Sequence, residues 1–431
     1  MAIKDLAESA KKAQIVLSSI NGELKNKALE TIVQSLSANR YSIFQANKID
    51  IKSAEALGIA LPILKRLKFD ESKLEEVCAG IRSLISLEEP VGKTLMITEL
   101  DEGLTLQKVT CPIGVIGVIF ESRPDALVQI STLCLKSGNA VLLKGGAEAI
   151  ETNRVLAKII NDATVSCSIP QGWLTLMETR SEVTEMLLCD DTIDLLIPRG
   201  SNEFVKYIMN NTKIPVMGHA DGICHCYVDK DADIDMAVRI VVDSKTQYVA
   251  VCNATETVLV HQEVAEVFLP KIEEALRLKE VKMFGDEGTL KIIAIEAVSD
   301  SSYDTEYLDY QISIKVVNDL SEAINHINTH GSGHTDTIIT ENATSAEAFM
   351  VLVDSGNVFQ NCSTRFSDGF RYGFGAEVGI STSKIHARGP VGLDGLLIYK
   401  YKLFGHGQIV ADYSEGRKKF THKKVYPSNP V

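Results

Sequence analysis

The sequence predicts an α/β protein that is built on two parallel β-sheets. From Gly114 onward, short apolar runs alternate with helical stretches, and a second alternation extends from about Asp243 to Thr382. Such alternation is typical of right-handed βαβ crossovers, which place strands side by side in one direction. The chain has 431 residues, which exceeds the size at which a single hydrophobic core keeps growing. Two domains are therefore expected.

Composition narrows the class of protein. Lys and Arg number 44 and Asp and Glu number 57, for a formal net charge of −13. That charge repels nucleic acid and acidic membrane surfaces, so neither is expected as a partner. The nine cysteines show neither the even framework of a small disulfide domain nor paired zinc spacing, which favours a reducing compartment. With no secretory signal and no apolar run near the roughly 20 residues that span a bilayer, a soluble cytoplasmic protein is expected.

Residues 1 to about 94 are predicted to be helical. Leu29, Ile32, Val33 and Leu36 follow helical spacing and share one apolar face, which indicates core packing. Two β-rich runs then flank Asp101-Glu-Gly103 within residues 95–110. They predict a β-hairpin arm.

The rest of residues 1–242 is predicted to form a dinucleotide-binding domain, with ligands at the carboxyl ends of its strands. The predicted strands are Val115–Phe120, Ala140–Leu143, Leu174–Met177, Ile193–Ile197 and Ile214–Met217, and the predicted helices are Ala126–Lys136, Ile150–Asp162, Val183–Leu188 and Phe204–Met209. No G-x-G-x-x-G follows the first strand. An ordinary Rossmann dehydrogenase is therefore not favoured.

Residues 243–385 are predicted to form a second α/β domain, followed by a C-terminal segment at 386–431. In that segment Leu396–Phe404 alternates as an edge strand does, and an exposed edge invites pairing with another chain. A homo-oligomer is therefore expected. The basic run Arg417–Lys424 is predicted to be a solvated tail rather than a nucleic-acid site.

Cys252 is the candidate nucleophile. It lies just ahead of an apolar run that ends at His261 and is predicted to be a buried strand. A thiol held between a turn and a strand can be directed into a cleft, as covalent acyl chemistry requires. Unpaired cysteines more often only fill space, so a structural role for Cys252 stays open on these residues alone.

Three further segments carry polar side chains next to predicted strands. Lys144-Gly-Gly146 can meet a cofactor phosphate or ribose, or can be a plain βα turn with a solvated lysine. In Pro198–Asn202, Ser201 can cap the next helix. Arg123 can bind a phosphate or carboxylate bidentately, or can pair with Glu121.

His326 and His330, at i and i+4, raise the question of a metal site. Gly331-Ser-Gly333 is predicted to break the helix before His334, and no fourth ligand is apparent, so a structural role is favoured over metal.

Together these segments resemble the γ-glutamyl phosphate reductases, a branch of the aldehyde dehydrogenase superfamily. The resemblance rests on Lys245-Thr-Gln247 with Cys252-Asn-Ala-Thr-Glu-Thr, on His326 to Asp336, and on Ser363-Thr-Arg-Phe366 with Gly375-Ala-Glu-Val-Gly-Ile-Ser381. It implies an aldehyde dehydrogenase-like fold, in which the hairpin and the C-terminal strand form an oligomerisation arm. It also implies NADPH-dependent reduction of L-glutamyl 5-phosphate to L-glutamate 5-semialdehyde through a Cys252 thioester, in proline biosynthesis. A functional association with a glutamate 5-kinase on a separate chain is implied as well.

The resemblance also implies individual residue roles. The NADPH/NADP+ contacts would be Lys144, Gly200, Ser201 and Glu306. The substrate contacts would be Arg123, Asn253, Ser363, Thr364 and Arg365. No metal ligand is implied.

Two departures separate this chain from hydrolytic aldehyde dehydrogenases. Where those enzymes carry the glutamate that activates water, this chain has His219-Ala-Asp-Gly222, and an oxyanion-hole asparagine is missing near Arg123. The absence of the glutamate favours transfer to phosphate over hydrolysis, because no base is then needed for water. The absence of the asparagine leaves the donors of the oxyanion hole unassigned. A hydrolytic aldehyde dehydrogenase and a non-catalytic nucleotide-binding protein remain the alternatives.

Overall fold

The computed structural model describes residues 2–219, 221–299, 301–374 and 377–425. The chain divides into two compact units. Unit 1 contains Met1–Gly200, Tyr207–Val216 and Val391–Val431, and unit 2 contains Ser201–Lys206 and Met217–Pro390. The helices are α1 (Ile3–Leu17), α2 (Gly22–Ala38), α3 (Arg40–Ala56), α4 (Leu61–Leu67), α5 (Glu71–Ser86), α6 (Pro124–Ser137), α7 (Ile150–Ser166), α8 (Arg180–Met186), α9 (Asn202–Asn210), α10 (Ile234–Thr246), α11 (Gln262–Arg277), α12 (Glu287–Leu290), α13 (Leu320–His330), α14 (Ala343–Leu352) and α15 (Val410–Ser414). The strands are β1 (Thr94–Asp101), β2 (Leu104–Pro112), β3 (Val115–Phe120), β4 (Ala140–Lys144), β5 (Leu174–Met177), β6 (Leu195–Arg199), β7 (Cys224–Val228), β8 (Thr255–His261), β9 (Lys282–Gly285), β10 (Glu296–Ala297), β11 (Gln311–Val317), β12 (Thr335–Ile339), β13 (Asn357–Gln360), β14 (Gly379–Ser381), β15 (Gly389–Val391), β16 (Leu397–Phe404) and β17 (Lys423–Val425).

The predicted N-terminal helices are confirmed as α1 to α5. In α2, the four apolar residues singled out by their spacing are all buried. Farther along, α6 ends at Gly138, whose φ of 75° lies in the left-handed region. Glycine adopts that conformation without a Cβ penalty, so the chain turns there directly into β4.

A four-stranded parallel sheet of order β5-β4-β3-β6 lies in unit 1. It confirms four of the five predicted strands, with the fourth shifted to Leu195–Arg199. The fifth prediction, Ile214–Met217, is wrong, because Val216 makes only an isolated bridge to Leu196. Pro215 has no N–H to donate to a ladder, so regular pairing stops after that single contact.

The predicted hairpin forms an antiparallel sheet with the C-terminal part of the chain, in the order β16-β2-β1-β17. The edge strand predicted near residue 396 is confirmed as β16, which pairs with β2 along its length. The prediction of a solvated basic tail is wrong at its end, because Lys423–Val425 pairs with Ile97–Glu99 of β1. The lysine side chains of β17 are exposed, whereas the backbone of β17 is hydrogen-bonded to β1.

Unit 2 contains a seven-stranded sheet of order β10-β9-β11-β8-β7-β12-β13, in which the six neighbouring pairs of strands are all parallel. The division into units differs from the predicted boundaries at 242/243 and 385/386. Strand β7 belongs to unit 2 because it hydrogen-bonds to β8 on one side and to β12 on the other. From Val391 the chain returns to unit 1, where β16 pairs with β2.

Among the residues that the structure describes, no helix is both long enough and apolar enough to cross a membrane.

Candidate active site

Three segments with reactive side chains meet at one edge of the unit 2 sheet. His219 and Gly222 precede β7, Cys252 precedes β8, and His334 directly precedes β12. The three strands are parallel neighbours in the order β8-β7-β12. Their amino ends therefore face the same way, and the residues that precede them come together.

Cys252 is half-buried in the short turn between α10 and β8, and the predicted buried strand is confirmed because every residue of β8 is buried. The Cys252 carbonyl accepts a hydrogen bond from Cys224 Sγ at 3.1 Å. Gly222 passes so close that a Cβ on it would lie 2.2 Å from the Cys252 carbonyl oxygen and 2.3 Å from its Cα. The nucleophile turn is thus held against a backbone that only glycine permits.

Two histidines flank the thiol. One side-chain donor atom each of His219, Cys252 and His334 lies within 4.8 Å of the other two, and the two imidazole rings meet edge to face at 4.9 Å. His219 Nδ1 is 2.9 Å from the Ile380 carbonyl oxygen. Because a carbonyl only accepts, Nδ1 carries the proton and Nε2 keeps the lone pair.

His334 is fully buried. Its Nδ1 is 2.8 Å from Thr335 Oγ1, while its Nε2 has no hydrogen-bond partner within the described part of the chain. The sequence placed His334 in the histidine-rich segment with His326 and His330, and it did not predict that His334 meets Cys252. The available signal was that His334 and Cys252 both stand just before an apolar strand.

The loop after β13 packs against the nucleophile turn and brings Asn253, Ser363 and Thr364 together. Thr364 Oγ1 donates to the Asn253 carbonyl at 2.7 Å, and Asn253 Nδ2 donates to the Ser367 carbonyl at 2.7 Å. Ser363 Oγ accepts from Ser244 Oγ at 3.1 Å. These side chains bind the loop to the turn, and Asn253 Oδ1 remains buried without a partner among the described residues.

Arg365 supplies positive charge near the thiol. Its Nε donates to Gln247 Oε1 at 2.9 Å, and it is 8% exposed. Burial lowers the pKa of Arg365, and Arg371 lowers it further, while interaction with Cys252 opposes that shift. A guanidinium stays protonated in a protein, so Arg365 is a fixed cation that interacts electrostatically with Cys252.

A buried ion pair lies between α10 and β8, the two elements that carry the nucleophile turn. Lys245 Nζ is 2.6 Å from Glu256 Oε2, and both side chains are 0% exposed. Burial raises the pKa of Glu256 to about 7, against the opposing effect of Lys245. Burial likewise lowers the pKa of Lys245. The pair ties the helix before Cys252 to the strand after it.

In unit 1, the carboxyl ends of three adjacent strands carry predicted ligand contacts. Lys144 ends β4, Arg123 follows β3, and Gly200 follows β6. Lys144 is buried, and its Nζ donates to the Gly145 carbonyl. A Cβ on Gly145 would lie 2.2 Å from Asn153 Nδ2. The carboxyl edge of this sheet therefore has a buried lysine next to a glycine at which no side chain fits.

The remaining predicted cofactor contacts, Ser201 and Glu306, lie in unit 2 on either side of Asn202. The Phe204 N–H donates to Ser201 Oγ at 3.4 Å, which confirms the predicted helix cap. Asn202 Nδ2 donates to Glu306 Oε2 at 2.6 Å and to Asp221 Oδ1 at 3.0 Å.

Asp221 is the acid of the segment that replaces the hydrolytic glutamate. Its carboxylate pairs with Lys206 Nζ at 2.7 Å and also accepts from Asn202. Asp221 is thus in contact with one side chain of each of these two residues, both of which lie in unit 2. Of the glycine-rich segment 373–379, Gly375 and Ala376 lie outside the described residues.

The first two histidines of the predicted signature lie together. The rings of His326 and His330 are 4.5 Å apart, and His330 Nδ1 is 2.9 Å from Asp304. Helix α13 ends at His330, as predicted from the glycines that follow.

The sequence and the structure were compared with those of known proteins, and a family model, two relatives and one solved structure match over most of the chain. The model of the aldehyde dehydrogenase family matches residues 1–290. The chain is 64% identical to the γ-glutamyl phosphate reductase of Acetivibrio thermocellus over the full length of both proteins. It is 63% identical to that of Pelotomaculum thermopropionicum, covering 99% of this chain and 98% of the relative. The crystal structure of γ-glutamyl phosphate reductase from Thermotoga maritima matches with a TM-score of 0.93 at 37% identity, covering 95% of this chain and 100% of that one.

Proposed function

The chain belongs to the aldehyde dehydrogenase family and, within it, to the γ-glutamyl phosphate reductases, and from that membership we propose its reaction. It reduces L-glutamyl 5-phosphate to L-glutamate 5-semialdehyde and releases phosphate, with NADPH as reductant, in the synthesis of proline from glutamate. The observation that carries this proposal is the half-buried thiol of Cys252 in a turn against which Gly222 packs closely.

The reaction begins at the Cys252 sulfur. The thiolate attacks the acyl carbon, the carbon–oxygen bond to phosphate breaks, and a thioester forms. Backbone N–H groups near Cys252 stabilise the oxyanion, an effect of about 3 kcal/mol per donor in enzymes of this kind. Arg365 meets the anionic substrate, with Asn253, Ser363, Thr364 and, in unit 1, Arg123 as the other proposed contacts.

The residues proposed to contact a nicotinamide dinucleotide have chemistry that suits its phosphates and ribose. At the carboxyl edge of the unit 1 sheet, Lys144 and Gly200 offer a cation and bare backbone for phosphate and ribose. In unit 2, Ser201 and Glu306 are the proposed contacts, with Glu306 oriented by Asn202. When bound, NADPH supplies the hydride that reduces the thioester carbon. The thiohemiacetal then expels the Cys252 thiolate and releases the aldehyde.

The segment that stands in place of the hydrolytic glutamate favours this reaction over hydrolysis. A hydrolytic aldehyde dehydrogenase needs a base near the thioester to activate water. This chain has His219-Ala-Asp-Gly222 at that position and no glutamate. We infer that the thioester is transferred to phosphate or reduced.

The reverse reaction tests the proposal. Glutamate 5-semialdehyde and NADP+ are mixed with the protein, and the absorbance of reduced nicotinamide is followed with and without phosphate. We expect formation of NADPH only with phosphate. Phosphate-independent formation of NADPH would identify a hydrolytic enzyme. If no NADPH forms, glutamate 5-semialdehyde is not a substrate of this protein.

Cys252→Ala tests the nucleophile. We expect this variant to lose reduction while it still binds NADPH, as measured by fluorescence titration. Cys111→Ala, which removes another half-buried thiol in the hairpin sheet, is the matched control and should keep full activity. Normal turnover by Cys252→Ala would remove this residue from the mechanism.

A further inference from the structure

We propose that His219, Cys252 and His334 form a binding site for Zn²⁺, and that zinc bound there reversibly blocks the nucleophile. The binding is argued from geometry alone. Only the inhibition rests on the proposed function, because it requires that Cys252 perform the chemistry.

The donor set fits zinc. One thiolate and two imidazoles are ligands that Zn²⁺ prefers, with Zn–S near 2.3 Å and Zn–N near 2.0 Å. A tetrahedral ion with those bonds holds its donor atoms roughly 3.5 Å apart. The donors of His219, Cys252 and His334 lie within 4.8 Å of one another. Side-chain movements of roughly 1 Å would therefore bring the three donor atoms to bonding distance of one ion.

The surroundings of His219 suit a metal ligand. Histidines that bind metals almost always donate their second ring N–H to a carboxylate, a carbonyl or water, which fixes the ring and leaves the other nitrogen free. His219 Nδ1 has that relation to the Ile380 carbonyl, at 2.9 Å. Its Nε2 is thereby left as the donor.

His334 supplies an independent observation. It is 0% exposed, and its Nε2 has no hydrogen-bond partner among the described residues. A buried polar atom without a partner costs free energy, and proteins seldom leave one without a reason. A cation at this site would satisfy that nitrogen, while Thr335 Oγ1 at 2.8 Å engages the other one.

The consequence for activity follows from the sulfur. A thiolate that donates a lone pair to zinc cannot attack an acyl carbon, so the bound protein is inactive until the metal leaves. Three protein ligands leave the fourth tetrahedral position open to water, as in catalytic zinc sites, so that a competing ligand can reach the ion. A chelator can therefore reverse the block.

Direct binding is tested with Co²⁺ as a spectroscopic probe on the full-length protein after treatment with a chelator. We expect one equivalent of Co²⁺ to produce the ultraviolet charge-transfer absorption of a cobalt–thiolate bond. Zn²⁺ should abolish the signal by competition. Cys252→Ser should abolish it as well, and His219→Gln should weaken Co²⁺ binding at least tenfold.

His330→Gln is the matched control, because His330 pairs with Asp304 outside this cluster. We expect it to bind Co²⁺ as the unaltered protein does. A wild-type protein without the thiolate band, or a band that persists in Cys252→Ser, would overturn the site. His219 is only half-buried, so its variant tests the site even where a change at buried His334 prevents folding.

Inhibition is measured separately in the reductase assay. We expect Zn²⁺ to inhibit, excess chelator to restore activity, and His219→Gln to raise the half-inhibiting zinc concentration at least tenfold relative to its own metal-free rate. Cobalt binding without any reductase activity would refute the proposed reaction and leave the site intact. Activity that zinc does not reduce, despite the thiolate band, would refute the block.

Discussion

The turn that contains Cys252 requires glycine at position 222, because no side chain fits there. Gly222→Ala would place a Cβ 2.2 Å from the Cys252 carbonyl oxygen and 2.5 Å from its Cβ, so the Cys252 turn must move. A misplacement of about 1 Å can cost on the order of 100-fold in rate. We expect a loss of kcat of that size with NADPH binding retained.

Steady-state kinetics with a parallel titration of NADPH would check this expectation. Gly80→Ala is the control, since a Cβ there meets nothing within 4 Å, and it should leave kcat unchanged. An active Gly222→Ala enzyme would show that the Cys252 turn is not held as described.

Glu256 gives a pH dependence of stability. Its pKa is raised in the folded protein to about 7 from an ordinary value of 4.5. Between those values the folded state binds a proton that the unfolded state has lost, so this group makes the protein less stable as pH rises. We therefore expect the Tm of Glu256→Gln, minus that of the unaltered protein, to increase from about pH 5 to about pH 7.

Thermal unfolding of both proteins in matched buffers measures that difference. Glu75→Gln, which changes an exposed acid in α5, serves as a control and should give a flat difference. A flat difference for Glu256→Gln as well would show that Glu256 is ionised throughout this range in the folded protein.

At this scale the sequence predicted the thiol but not that His334 lies next to it. Cys252 was found from local signals, a turn followed by an apolar strand. His334 joins it only because β7 lies between β8 and β12. The order of strands in a sheet depends on long-range packing, which alternation along the chain does not report.

In the hairpin sheet, one C-terminal strand was predicted from the sequence and the other was not. Strand β16 was predicted from its alternation, whereas β17 was not, because consecutive lysines are typical of a solvated tail. The backbone of Lys423–Val425 nevertheless pairs with β1. Pairing along an edge strand depends on free backbone groups of the neighbour, which side-chain composition does not reveal.

The expectation of a homo-oligomer can be tested at β16, which is an edge strand of the hairpin sheet among the described residues. Tyr401 and Leu403 of this strand are each 57% exposed. Large exposed apolar side chains on an open edge favour pairing with another chain, and lysine opposes it. We expect Tyr401→Lys with Leu403→Lys to lower the molar mass measured by light scattering.

Val267→Lys is the control for that experiment, since Val267 is a similarly exposed apolar residue on α11 of unit 2. It should leave the molar mass unchanged. A double variant of unchanged mass would place the association elsewhere or show that the unaltered protein is a monomer.

For the molecule as a whole, the sequence predicted the fold class and the α/β content of both units but not where the units divide. The residues of β7 fall within the predicted first domain, residues 1–242, and no strand was predicted there. The hydrogen bonds of β7 are to β8 and β12. The return of the chain to unit 1 at Val391 depends on the pairing of β16 with β2, which no local pattern shows.

Two compact units with separate sheets predict unfolding that is not two-state. We expect differential scanning calorimetry to give a calorimetric enthalpy larger than the van't Hoff enthalpy. The excess should persist at slower scan rates, which controls for irreversible aggregation. Equal enthalpies would mean that the two units unfold as one cooperative body.

The segment His219–Gly222, which has no glutamate, has a thermodynamic consequence. In the oxidative direction of the reaction the acyl group is transferred to inorganic phosphate, so the free energy of aldehyde oxidation is conserved in an acyl phosphate instead of being lost to water. The protein then acts as a reversible energy converter. Its direction is set by the ratio of reduced to oxidised nicotinamide and by the concentration of phosphate.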